Sequence, residues 1–344
     1  MERVELSIDV TDAASLGETL HTRATVVLPE PKTMGAPAVV CFGFPGGGYS
    51  RRYFTFAIPG GPASAGEGQA AWHAQRGWVF VACDHLFVGD SDAPADPTRL
   101  SFEVLAAANH ATVTDVARRL VEGTLSPSFP PLSTSIKLGV GQSMGGALTI
   151  VQQGQHATYD GVAVLGFSAS RIELWMPPGA GDAGVAFLPR GSNVPVISRD
   201  DVGHHVSALA SPDGGLPPAT QGFHYDDVDP EIVAADMIDY PQRRGVIPEW
   251  GTANVPPCAA TMTSPGVVAP EAAVISVPVF IGVGERDVVP DPWSEPAAYP
   301  RSRDVTVFVC PKMAHMHNFA GTREQMWTRL HSWGEAVARQ TCVV

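Results

Sequence analysis

In Gly141-Gln142-Ser143-Met144-Gly145, a serine is flanked by glycines two residues away on either side. The motif sits between an apolar, β-rich run (136–140) and a second apolar run beginning at Ala147. Small residues at those positions let a strand turn sharply into a helix and leave the hydroxyl exposed. The first helical N–H groups then face any negative charge that forms beside it. Such a turn suits Ser143 to attack a carbonyl carbon. The attack needs a base for the hydroxyl proton, a carboxylate to hold that base, and N–H donors for the oxyanion. Gly284-Glu285-Arg286-Asp287 follows the apolar run 278–283, which places Asp287 at the carboxyl edge of a late strand, with Glu285 and Asp291 as alternatives. Pro311-Lys312-Met313-Ala314-His315-Met316-His317 follows the run 305–310. His315 is preferred as the base for its small neighbour and its place after a strand, and His317 is left as a loop residue or part of a pocket wall. Two histidines at this spacing point the same way on an extended segment, a start on a metal site. Nothing else in the chain has metal-site spacing, so no metal is expected.

The rest of the chain must bring these residues together. Strand-like runs at 4–10, 22–28 and 38–44 are separated by turn residues. Alternation follows: helix 68–76, strand 78–83, amphipathic helix 102–122, strand 136–140, helix 147–155 and strand 161–167. Short apolar runs alternating with helices imply a mostly parallel sheet covered on both faces, an α/β protein. From 168 to 276 the alternation stops. This stretch is Pro/Gly-rich, carries scattered aromatics (Trp175, Phe187, Phe223, Tyr225, Tyr240, Trp250) and holds one clear helix at 230–238. A structureless stretch of that length is unusual within a domain, so it reads as an inserted lid. The division expected is a core of 1–167 with 277–344 and a cap of 168–276, whose walls would meet the substrate. Strands at 277–283 and 305–310 and a helix at 322–339 complete the core.

A net charge of −13 argues against a protein that tracks nucleic-acid phosphates. None of the five cysteines falls in a C-x-x-C pair, and Cys41, Cys83 and Cys310 sit in strand-like runs, where reduced, buried thiols are expected. The first residues lack the apolar stretch of a signal peptide, and no apolar run is long enough to cross a bilayer. A soluble cytoplasmic protein with no membrane partner is the expectation. Oligomeric state is left open, a homodimer included. His110 reads as structural, His85 and His204-His205 as surface or hydrogen-bonded loop histidines, and Arg51-Arg52 as a solvated pair.

The chain resembles the α/β-hydrolase superfamily, whose members order their triad serine, acid, histidine, as Ser143, Asp287 and His315 are ordered. Gly284–Asp287 matches the family's late G-x-x-D, and Ala314-His315 its histidine after a small residue. Phe44-Pro45-Gly46-Gly47-Gly48-Tyr49 resembles the oxyanion loop, with Pro45 where a histidine is common. The resemblance implies Met144 as one oxyanion donor and Gly47, or else Phe44, as the other. Asp84-His85-Leu86-Phe87-Val88-Gly89-Asp90-Ser91 is similar to the family's D-x-x-G-x-G-x-S turn, with Phe87 replacing its first glycine. The insertion falls where the family places its cap. Serine at the elbow separates the chain from the family's epoxide hydrolases and haloalkane dehalogenases, which use aspartate. The activity implied is cofactor-free cleavage of a carboxylic ester or lactone, and the extensive lid suggests a medium or bulky apolar small-molecule substrate. Thioester hydrolysis, acyl transfer and non-catalytic ligand binding are the alternatives.

Overall fold

The computed structural model describes residues 1–58, 68–181, 183–185, 187–192, 209, 215–238, 240–241, 243 and 245–341. Its centre is one eight-stranded sheet. The strands are β1 (Glu2–Asp9), β2 (His21–Leu28), β3 (Ala38–Phe44), β4 (Val79–Cys83), β5 (Ser135–Gln142), β6 (Gly161–Leu165), β7 (Val279–Arg286) and β8 (Val305–Ala314). They lie in the order β1-β2-β4-β3-β5-β6-β7-β8. β1 and β2 pair antiparallel with each other and β2 with β4, while the pairs from β4 through β8 are parallel.

The buried strands are apolar almost throughout because both faces are covered. In β3 every residue is buried. Val40 and Phe42 face a core layer shared with Leu105, Val113 and Leu148, whereas Val39 and Cys41 face the opposite layer with Ala70, Met326 and Leu330. β1, at the edge, instead alternates burial along its length. The helices follow from the sequence in the same way: α1 (Thr11–Ala14), α2 (Gly68–Ala74), α3 (Phe102–Glu122) and α4 (Met144–His156). α3 begins where the Ser101 hydroxyl accepts the Val104 N–H at 3.3 Å and ends at left-handed Gly123.

Between β6 and β7 the described residues add no strand to the sheet. They form the short helices α5 (Thr220–Phe223), α6 (Pro230–Met237) and α7 (Ala269–Ala272), and α8 (Arg323–Thr341) closes the chain. β8 runs through Pro311, beyond the end expected from the sequence. It lies at the sheet's edge, where a residue without an N–H costs no ladder bond. Its last residue, Ala314, pairs with Arg286, just past an irregularity in β7, so the two segments leading to Asp287 and His315 emerge side by side. Cys41, Cys83, Cys258 and Cys310 are free thiols, while Cys342 and His204-His205 lie outside the described residues. No helix among the described residues is long and apolar enough to cross a membrane.

Candidate active site

Gly141 ends β5 beside Phe44, and Gln142 beside Leu165, so the turn at Ser143 forms at the carboxyl edge of the parallel strands. Ser143 has φ +54° and ψ −119°, outside the regions open to most L-residues, and its side chain makes no capping bond to α4. The two flanking glycines are required by contact. A Cβ on Gly141 would come 2.1 Å from the carbonyl oxygen of Gly145, and one on Gly145 would come 2.2 Å from that of Phe44. The Ser143 N–H donates to Leu165 at 2.8 Å, which anchors the turn to β6.

The hydroxyl meets a chain of buried groups. Ser143 Oγ lies 3.0 Å from His315 Nε2, and His315 Nδ1 lies 2.6 Å from Asp287 Oδ1. Asp287 also accepts the N–H of Val288 on Oδ1 at 2.7 Å, and that of Gly284 on Oδ2 at 2.8 Å. Burial by itself pushes the Asp287 carboxyl up. The neighbouring His315 and His317 more than offset this and hold it well below the usual carboxylate range. Glu285 is spent elsewhere, accepting the Lys312 N–H at 2.9 Å.

His317 is more than a loop residue: its Nε2 lies 2.8 Å from Asp287 Oδ2, while its Nδ1 has no partner. Both histidines of the H-x-H pair thus converge on one carboxylate. Among the described residues no cluster of three or more His, Cys, Asp or Glu is arranged to hold a metal ion. Gln142 was not among the expected site residues. Its amide donates to the His315 carbonyl at 3.0 Å, joining the serine turn to the histidine loop. A polar side chain at the buried end of a strand, next to the serine, was the available signal.

Opposite the imidazole runs the loop after β3. Gly46 packs so closely that a Cβ there would come 3.0 Å from Ser143 Cβ. Gly47 lies in the turn beyond, facing Met144 and Val255, whereas Phe44 is still within β3, paired with Gly141. Met144 opens α4, so its N–H has no intrahelical acceptor. From the core side, His85 supports this loop: its Nε2 donates to the Pro45 carbonyl at 3.1 Å, and Asn109 bonds its Nδ1. His85 is therefore no surface residue, and burial lowers its pKa to about 4.

Arg51 departs from the expected solvated pair. Its guanidinium is buried against Asp84 (2.6 Å), Asp90 (2.7 Å), Glu5 (3.2 Å) and the Thr25 hydroxyl, and only Arg52 stands half in solvent. The same turn explains the family's glycine at position 87: Phe87 has φ +76°, a conformation glycine adopts without strain.

Above the loop, side chains from the segment between β6 and β7 close over it. Tyr240 Oη donates to the Gly47 carbonyl at 3.0 Å, and Thr252 N–H to that of Gly48 at 3.0 Å. Asp236, fully buried, accepts from Tyr49 Oη (2.5 Å), Trp250 Nε1 (2.7 Å), Arg243 Nη2 (2.7 Å) and His224 Nε2 (2.8 Å). Burial pushes its carboxyl up, but Arg243 and then the His224 bond outweigh that and hold it at about 2. On the other side, the His315 and Met316 N–H groups donate to Gly222 and Phe223 at 3.0 and 2.9 Å. The Phe223 ring stands edge-on to the imidazole at 5.2 Å.

Solved structures superpose over nearly the whole chain. A proline iminopeptidase from Mycobacterium smegmatis matches at 18% identity with a TM-score of 0.60, covering 98% of this chain and 99% of its own. A thermophilic esterase from Thermogutta terrifontis matches at 13% and 0.56, covering 98% and 100%. The chain has the α/β-hydrolase fold. A bromoperoxidase from Bacillus anthracis shares it at 14% identity and a TM-score of 0.57, covering 95% of this chain and 99% of its own, so the fold leaves the chemistry to the site. No protein-family model matches the sequence, and no curated protein matches it. Within this α/β-hydrolase fold, Ser143, Asp287 and His315 come from the ends of β5, β7 and β8, and are brought within hydrogen-bonding distance of one another.

Proposed function

We propose that this chain is a serine hydrolase that cleaves a carboxylic ester or lactone through an acyl-enzyme. The observation that carries the reading is the unbroken contact chain Ser143 Oγ–His315 Nε2 (3.0 Å) and His315 Nδ1–Asp287 Oδ1 (2.6 Å). His315 takes the hydroxyl proton as Ser143 Oγ bonds to the carbonyl carbon. The carbonyl oxygen, now negative, receives the N–H groups of Met144 and Gly47. As the tetrahedral centre collapses, His315 protonates the departing alcohol oxygen. A water then loses its proton to the same imidazole, attacks the acyl carbon and frees Ser143. Asp287 keeps the Nδ1 proton in place and stabilises the imidazolium without taking the proton itself.

Residues 168–276 form the cap of this reading, over a core of 1–167 and 277–344. A cleft of about 590 Å³ reaches Asp287 between their walls, lined by Ile172, Leu174, Met176, Val185 and Phe187 among others. With Arg171 and Glu173 beside these apolar side chains, the cleft suits a substrate that carries both apolar and polar groups. A fluorophosphonate probe tests the reading. The intact protein should take one label that Ser143→Ala abolishes; no labelling of the parent, or equal labelling of both, overturns it.

A further inference from the structure

We infer that Asp236 is a positioning residue for the oxyanion loop, joining that loop and the base-bearing loop through one buried carboxylate. The inference rests on the serine-hydrolase reading above. Asp236 is remote from Ser143 along the chain and bonds no atom of Ser143, His315 or Asp287. Its contacts lead to both sides of the reacting centre. Tyr49, two residues past Gly47, donates its hydroxyl to Oδ2 at 2.5 Å. Trp250 donates its indole N–H to Oδ1 at 2.7 Å, while its carbonyl accepts the Ser50 N–H at 3.0 Å. An antiparallel bridge between Tyr49 and Gly251 closes the same grip. On the other side, His224 Nε2 meets Oδ2 at 2.8 Å. The preceding residue, Phe223, accepts the Met316 N–H and packs its ring on the His315 imidazole.

The chemistry of the group matters as much as its place. Four donors converge on two oxygens, and one donor is the Arg243 guanidinium at 2.7 Å, itself buried against the Tyr49 and Tyr240 rings. Only an acceptor-only, negatively charged group satisfies this set. An asparagine amide would turn two N–H groups toward donors and leave Arg243 without a counter-charge. With its lone pairs so engaged, Asp236 is not a proton acceptor for the reaction. Its effect is to keep the Gly46–Ser50 loop at one height above Ser143. An oxyanion donor works only when it is aimed at the place where charge develops, so a shifted loop loses rate before it loses substrate binding.

Asp236→Asn tests this with p-nitrophenyl acetate as substrate and fluorophosphonate titration to count competent sites. Turnover per titrated site should fall about 10- to 100-fold with KM little changed. Affinity for phenylboronic acid, which mimics the tetrahedral intermediate on the serine, should fall in parallel with kcat/KM. A residue that only stabilises the fold would lower the number of titratable sites and leave turnover per site intact. A change in turnover per site of less than about threefold therefore overturns the inference. If Asp236→Asn does not fold, as judged by circular dichroism, Tyr49→Phe decides by the same threshold, since it deletes only the hydroxyl on Asp236. A parent protein that neither labels nor hydrolyses removes the serine-hydrolase reading itself. A parent that does both beside an unimpaired variant removes only the role of Asp236.

Discussion

The turn at Ser143 and the cluster around Asp236 both hold irregular backbone in a buried place, and they do so by opposite means. At the turn, restraint comes from backbone: the stretch 141–145 packs on itself and against the Phe44 carbonyl of β3. Gly141 and Gly145 make room for neighbouring carbonyls, and Ser143 occupies a positive φ. Around Asp236, restraint comes from side chains at 49, 224, 243 and 250, gathered from the loop after β3 and the segment between β6 and β7. A local turn tolerates almost no added volume, because what crowds it is backbone. A cluster of side chains tolerates volume better but depends on charge. The loop after β3 is touched by both, with Gly46 pressed against Ser143 and Gly47 tied to Tyr240.

The sharpest way to separate the two is to remove the group that both serve. His315→Ala should lower p-nitrophenyl ester hydrolysis by about 1,000-fold or more. His317→Ala, which leaves the imidazole on Ser143 and withdraws only a second partner from Asp287, should cost about tenfold. A larger loss from His317→Ala than from His315→Ala would reverse the assignment of the base. Next in size is a test of crowding at the turn. Gly145→Ala drives a Cβ into the Phe44 carbonyl, and should destabilise the fold by about 2–4 kcal/mol, measured by urea unfolding. An unchanged unfolding midpoint would show that the turn relaxes more readily than its contacts imply.

The smallest effect concerns the loop's support from below. His85 has a pKa of about 4 in the fold, lower than in the unfolded chain, where an exposed imidazole titrates near the ordinary value of about 6.5. The unfolded chain therefore binds the proton first as pH falls. The stabilisation is whole above about pH 6.5 and is lost progressively toward pH 4, on the order of 2 kcal/mol between pH 7 and 5. His85→Gln should flatten that slope by nearly one proton. A slope equal to the parent's would mean other groups carry the acid sensitivity.

Much of the fold could be read from the chain because the signal was local. The parallel strands are short apolar runs, and the helix Phe102–Glu122 carries its own cap signals. Ser143, Asp287 and His315 stood out because each directly follows a strand, and parallel strands deliver their carboxyl ends to one edge. The second tie on Asp287 was only half legible: the H-x-H spacing set His315 and His317 on one side, but their meeting on one carboxylate depends on the turn after β8. Arg51 looked like a surface charge beside Arg52, and only Asp84, Asp90 and Glu5, distant in sequence, make its burial tolerable. The Asp236 cluster was unreadable for the same reason: most of its members lie in Pro/Gly-rich sequence without periodicity. Their meaning arises only when Tyr49 is brought against them.

The hydrogen bonds from His315 and Met316 to the carbonyls of Gly222 and Phe223 bear on how such a protein diversifies. Main-chain acceptors at the base belong to the very segment that would shape specificity. Grafting a foreign insertion between β6 and β7 would therefore strip the imidazole of its backbone moorings along with the old binding walls. On the serine-hydrolase reading, new substrate ranges would come more readily through point changes on the inherited segment than through wholesale exchange of it.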